Sequence, residues 1–191
     1  MSEVFELLSS WLPANSEIDR PQITLSTATA AGAPDARTVL MTEFDEHGFY
    51  FHTDARSRKV ANILENPLVA ITFLWPNFTR QLVVQGRAEV APAVEIAAAF
   101  ASRSPYLKQL AWQNSEEFAQ LPLEERRVLW ARFLEEHGDE ISQPPTWTGF
   151  LVRPHRLTFW ESNPDAASLR TEYSLVSGSL LGDWSIGYLP G

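Results

Sequence analysis

The stretch Thr53-Asp54-Ala55-Arg56-Ser57-Arg58-Lys59 gathers three cations where a β-rich run gives way to a helical pattern. Main-chain N–H groups and the dipole at a helix start attract anions, and Arg or Lys placed there adds charge-assisted hydrogen bonds to phosphate oxygens. The same residues also suit a solvated basic helix start capped by Asp54 or Ser57, and their spacing alone does not choose between the two. Arg37, in Arg37-Thr38-Val39-Leu40 on the adjoining run, is within reach of the same anion. Arg80-Gln81 opens a later run, and the Gln81 amide can both donate to and accept from the edge of a heteroaromatic ring. Taken singly, each of these is equally at home in a surface ion pair or an ordinary strand.

Other chemistries fall away. His47, His137 and His155 are not paired at metal-ligand spacing, so no metal site is expected. Glu124-Glu125 and Glu135-Glu136 are neighbours along a helical pattern and do not face one another, which reads as a solvated face. The absence of Cys removes disulfides, thiolate ligands and a cysteine nucleophile. Of the seven Trp, all but Trp160 read as core or subunit packing. A net charge of -9 excludes a general nucleic-acid binder. No apolar run approaches the roughly 20 residues of a membrane helix, and the acidic N-terminal residues do not resemble a secretory signal, so a cytoplasmic location is expected.

These residues need a scaffold. Val4, Leu7, Leu8 and Trp11 lie at helical spacing in residues 3–12, ahead of Pro13. Residues 22–30, 37–44 and 49–53, punctuated by Gly32-Ala33-Pro34 and His47-Gly48, read as an antiparallel meander. A helix over about 56–64 ends at Asn66-Pro67, and strands follow over 69–75 and 80–90. Residues 93–100 and 122–136 read as helices. Short strands at 149–153, 157–161, 173–176 and 184–188 close the chain. So many short strands are best protected by closure, which predicts one mainly β domain over 1–191, an antiparallel barrel with flanking helices.

The order of the motifs resembles the pyridoxamine 5'-phosphate oxidase family from about Ile23 onward. Arg-x-Val-Leu, Phe-x-Thr-x-x-x-Ser-Arg-Lys, Asn-Pro, Arg-Gln-x-x-x-x-Gly-x-Ala-Glu, Ser-Arg and Phe-Trp recur in register. The resemblance implies a Greek-key, FMN-binding split barrel and a homodimer with FMN at the subunit interface. It places Arg37, Arg58 and Lys59 on the FMN phosphate, with Val39, Leu40, His52 and Thr53 lining the cofactor. It assigns Gln81 to the isoalloxazine ring, and Asn114, Ser115, Trp160 and Arg170 to further cofactor contacts.

The substrate side departs from the family. The lysine that would hold a substrate phosphate is Thr42, the substrate tyrosine is Ala99, a nearby serine is Leu107, and only Arg103 is kept. In the C-terminal motif, Ala166-Ala167-Ser168-Leu169-Arg170 lacks the first arginine and the histidine. Each lost charge-assisted hydrogen bond is worth roughly 1.5 to 3 kcal/mol, so weak or no turnover of pyridoxine 5'-phosphate is expected. The expectation is an FMN-dependent oxidoreductase, an oxidase using oxygen, acting on a small neutral or aromatic substrate. Two alternatives stay open: a genuine pyridoxine/pyridoxamine 5'-phosphate oxidase whose lost contacts are replaced by Arg153 or Arg156, and a flavin-binding protein without turnover.

Overall fold

A computed structural model describes residues 2–17, 20–138 and 140–191; Met1, Ile18, Asp19 and Asp139 lie outside the described residues. Three strands, β1 (Gln22–Ala28), β2 (Pro34–Asp45) and β3 (Gly48–Asp54), form consecutive antiparallel hairpins. The first turn uses Gly32 at φ 84°, a conformation that costs a glycine nothing. After α2 (Arg58–Glu65), β4 (Leu68–Leu74) returns to lie against β1, and β5 (Arg80–Val90) pairs with β4. The spatial order β3-β2-β1-β4 is a Greek key.

Closure depends on β6 (Trp147–Glu161), which pairs with β5 along nearly its whole length. Its first half, Trp147 to Val152, also pairs with β3 and closes a six-stranded barrel. Its second half, Arg156 to Trp160, pairs instead with β7 (Leu169–Ser177), which carries β8 (Asp183–Pro190) beyond the barrel. The two strands expected over 149–153 and 157–161 are therefore one. Pro154 and His155 between them sit at a bulge opposite Gln85 and Gly86, where a missing N–H donor is tolerated. That bulge marks where the barrel splits.

Alternation along the strands fills the interior: Ile23 and Leu25, Val69, Ile71 and Phe73, and Leu82 and Val84 all point inward. Phe49, Phe51 and Phe150 are fully buried among them, and truncating any one to Ala should cost about 3–5 kcal/mol. Helix α1 (Glu3–Trp11) is capped by the Ser2 hydroxyl, which accepts from the Phe5 N–H, and inserts Val4 and Leu8 into the same core.

Four helices lie between β5 and β6: α3 (Ala93–Ala101), α4 (Pro105–Gln113), α5 (Glu116–Gln120) and α6 (Leu123–His137). The sequence reading missed α4 and α5. Yet α4 carries a legible start signal, a Ser104 hydroxyl accepting from the Leu107 N–H with Pro105 in the first turn. Helix α6 has no fully buried residue, and α4 holds it through the aromatic pairs Tyr106–Trp130 and Trp112–Phe133 together with polar contacts. The fully buried Gln109 donates to the Trp130 carbonyl, and Gln113 donates to the Leu129 carbonyl.

Candidate active site

The residues expected at an anion site line one cleft. A cleft of about 710 Å³ is lined by Arg37 of β2, Ser57, Arg58 and Lys59 at the start of α2, and Asn114 and Ser115 between α4 and α5. Arg37 is anchored by donating to the Leu25 carbonyl and the Thr27 hydroxyl. Asp35 lies 2.7 Å from Arg37 and 3.3 Å from Arg58. Partial burial opposes ionisation of Asp35, but the two guanidiniums win and hold its carboxyl below the usual range. Lys59 donates to the Thr53 hydroxyl at 3.0 Å; burial, then the nearby Arg37, lowers its ammonium pKa. Ser57 is the N-cap of α2 but makes no capping bond, and its buried Oγ has no partner. Two guanidiniums, an ammonium, an uncommitted hydroxyl and a helix start thus converge as a phosphate requires. Arg56 is spent elsewhere, paired with Asp54 at 2.8 Å.

A second group is built on a bulge in β2. Met41 faces Phe51 and Glu43 faces Tyr50, so Thr42 is the extra residue and its side chain is re-aimed. Its hydroxyl donates to the Tyr50 carbonyl at 3.1 Å and therefore accepts the Nδ1 proton of His52 at 3.0 Å. His52 is buried, its Nε2 has no partner, and its ring stacks on Trp147 with 5.5 Å between centroids. Burial, reinforced by the charge on Arg103, lowers its pKa to about 4, so the ring is neutral at pH 7. Trp147 donates its indole N–H to the Ile96 carbonyl and carries the Arg103 guanidinium 4.2 Å from a ring centroid.

Arg103, Leu40, Thr42, Ala99 and Leu107 line one further cleft of about 690 Å³, bringing the expected substrate residues together with one of the expected cofactor-lining residues. Arg103 donates weakly to the Leu107 carbonyl at 3.5 Å, and burial lowers its pKa to about 10. Glu43 and Glu95 line the same cleft. Burial, a hydrogen bond with Glu95 and the charges of Glu95 and Asp45 raise Glu43 to about 7, against the opposing pull of Arg20. Val39, expected at the cofactor, is half-buried and packs against the barrel core.

Gln81, Trp160 and Arg170 stand apart from both clefts. Gln81 faces Trp160 across β5 and β6, and Trp160 faces Arg170 across β6 and β7, so the three form one row on the sheet. They line a separate cleft of about 390 Å³ with Arg156 and Glu172. Trp160 donates to the Ser168 hydroxyl at 2.9 Å and packs against Phe78 at 4.9 Å. Phe78 and Asn77 hold φ at 55° and 58° in the turn between β4 and β5, a region L-residues seldom adopt. Arg153 is paired with Glu89 at 2.7 Å, and Arg156 lies beside Gln85 and Glu172, so neither lines the Arg103 cleft.

Several site residues were invisible to pattern reading. Trp147 looked like one more packing tryptophan, and it does belong to a buried cluster, but its partners His52 and Arg103 are brought to it by distant segments. Asp35, Glu43 and Glu95 are acidic residues whose roles depend on what they face.

Residues 15–138 match the profile of the pyridoxamine 5'-phosphate oxidase family. A pyridoxine/pyridoxamine 5'-phosphate oxidase of Anaeromyxobacter dehalogenans is 38% identical over 164 residues, covering 84% of this chain and 81% of the relative. One from Wolbachia pipientis wMel is 31% identical over 189 residues, covering 97% and 86%. Among solved structures, PhzG of Burkholderia lata, in complex with tetrahydrophenazine-1-carboxylic acid, has a TM-score of 0.83 at 22% identity, covering 100% of this chain and 94% of its own. A pyridoxamine 5'-phosphate oxidase-related, FMN-binding protein of Nostoc punctiforme has a TM-score of 0.76 at 19% identity, covering 100% and 99%. At these identities the two structures establish the fold, the split barrel expected from the motifs. With a phosphate cradle whose free Ser57 hydroxyl and clustered cations fit the cofactor, the chain belongs to the pyridoxamine 5'-phosphate oxidase family of FMN-binding oxidoreductases.

Proposed function

We propose that the protein is an FMN-dependent oxidase for a small organic molecule, neutral overall or aromatic, and that its substrate pocket is rebuilt relative to the pyridoxine/pyridoxamine 5'-phosphate oxidases. The observation that carries this reading is the cleft around Arg103. It sets the half-buried Arg103 guanidinium beside the uncharged Thr42, Ala99 and Leu107 and the carboxyls of Glu17, Glu43 and Glu95, with Arg20 also in the lining. A phosphate dianion there would meet the Arg103 and Arg20 guanidiniums but also the carboxyls of Glu17, Glu43 and Glu95, which repel it. The chemistry FMN supplies when bound is two-electron transfer from the substrate, with oxygen as final acceptor and hydrogen peroxide as product.

The protein's part is to bind, orient and exclude water. Arg37, Ser57, Arg58 and Lys59 hold the phosphate, with Asn114 and Ser115 at the rim. Val39, Leu40, His52 and Thr53 form the wall of the cofactor site. Gln81, Trp160 and Arg170 address the ring from a second copy of the chain, because their row lines a cleft separate from the phosphate cradle. A homodimer is the arrangement that unites them. The exposed apolar side chains of β7 and β8, including Val176, Ile186 and Tyr188, suit burial against such a partner.

One finding favours a second reading, a genuine vitamin B6 phosphate oxidase: the relatives at 31–38% identity carry that name. An anaerobic titration of the FMN-loaded protein separates the two. Bleaching by neutral aromatic reductants and not by pyridoxine 5'-phosphate is the expected result. Bleaching by pyridoxine 5'-phosphate overturns the rebuilt-pocket reading, and bleaching by neither leaves a flavin-binding protein without turnover.

A further inference from the structure

The cleft around Arg103 is polarised. On one wall the guanidinium lies over Trp147, and among the described residues it has no carboxylate within ion-pair distance. A desolvated cation without a counterion is costly unless a ligand supplies the charge. Elsewhere in the cleft's lining stand the carboxyls of Glu43 of β2 and Glu95 of α3. Arg20 lines the same cleft, but its guanidinium donates to the Ala14 carbonyl at 2.9 Å and the Asn15 side chain at 3.3 Å, so it does not neutralise the pair by direct contact. The lining also includes Leu40, Ala99 and Leu107, apolar surface suited to a hydrocarbon or aromatic body. At about 690 Å³ the space is the size of a small-molecule site.

Resting on the reading of this cleft as the substrate site, we infer that it selects a zwitterion: a small molecule with a carboxylate for Arg103, an amine for Glu43 and Glu95, and an apolar or aromatic body between them. Such a ligand is neutral overall. It satisfies both walls at once, whereas a phosphate ester places two negative charges against the carboxyl pair. A carboxylate alone leaves Glu43 and Glu95 unmatched, and an amine alone leaves Arg103 unmatched. Two complementary contacts on one rigid body reinforce each other, because the second forms without further loss of translational freedom.

The test is binding to the FMN-loaded protein, read by calorimetry and by the shift in the flavin spectrum, with benzoate, benzylamine and the 3- and 4-(aminomethyl)benzoates as probes. At least one aminomethylbenzoate is expected to bind tenfold or more tightly than either parent. In E43Q/E95Q that advantage should vanish while benzoate binding holds or tightens, and in R103Q binding should fall to the level of benzylamine. The single variant E95Q, on a helix surface, should lose part of the advantage and covers the case in which the double variant does not fold. If neither isomer exceeds benzoate, or if E95Q and E43Q/E95Q keep the full advantage, the zwitterion assignment is overturned. Failure of the oxidase reading is distinguishable: the probes would then bind in the stated order without any small molecule bleaching the flavin.

Discussion

Thr42 Oγ1 lies 3.0 Å from His52 Nδ1, linking the lining of the Arg103 cleft to the buried His52 ring. With the Thr42 proton on the Tyr50 carbonyl, the hydroxyl holds His52 as a neutral Nδ1–H ring against Trp147, and Trp147 in turn supports Arg103. A lysine at position 42 would break that hydrogen bond and place an ammonium beside Glu43. T42K should therefore improve binding of pyridoxine 5'-phosphate by about tenfold, the lower end of what one charge-assisted hydrogen bond contributes. It should also lower thermal stability by removing a buried hydrogen bond. Equilibrium dialysis and a melting curve measure both; unchanged phosphate-ester binding would mean that the ester does not enter this cleft.

With the cofactor phosphate placed as proposed, Asp35 would compete with it for the same donors. Its carboxylate engages Arg37 and Arg58, and phosphate binding must displace it or tolerate its charge. Pairs this exposed contribute little, so D35N should tighten FMN only modestly, roughly two- to fivefold at low salt, with the gain shrinking as salt rises. Quenching of FMN fluorescence gives the constant. A looser complex would instead make Asp35 a support that orients the two arginines.

Subunit sharing has a quantitative signature. R58A/K59A disables the phosphate cradle and should leave a folded protein that does not retain flavin. Q81A/R170A disables the row on the sheet and should weaken binding by a different route. In a mixed dimer of the two, one site combines both lesions and the other has none. Co-purified heterodimers should therefore carry about one FMN per two chains, while each parent carries little. An empty heterodimer would place both groups of residues in the same subunit's site.

Acid should reveal His52 once Glu43 is removed. His52 titrates near 4 when folded against 6.5 as its ordinary value, so between these limits the unfolded chain binds the extra proton. Its contribution is complete above about pH 6.5 and is lost as pH falls toward 4, up to about 3 kcal/mol. Glu43 acts in the opposite sense: raised from 4.5 to about 7, it contributes stability below pH 4.5 that is lost as pH rises through 7. The two slopes oppose one another in the wild type. E43Q should show stability climbing more steeply with pH from 4.5 to 6.5 than the wild type does, as measured by urea denaturation. Parallel profiles for the two proteins would show that Glu43 is not raised by the fold.

The individual strands and the basic helix start were legible in the sequence because both are local. Alternating apolar residues mark β1 and β4, and Ser57-Arg58-Lys59 form a contiguous helix start whose chemistry survives in any context that exposes it. Pro154 misled because a bulge set by the partner strand absorbs it, and α4 was overlooked despite its Ser104-Pro105 start. What only the tertiary structure decided is how side chains from separated segments meet. His52, Trp147 and Arg103 come from β3, β6 and the end of α3, and they stack only when closure of the barrel brings β3 against β6. The Glu43 and Glu95 carboxyls likewise come to line one cleft only when α3 packs against β6. Their charge and proton affinity depend on burial and on the neighbour each one faces, and one-dimensional order encodes neither.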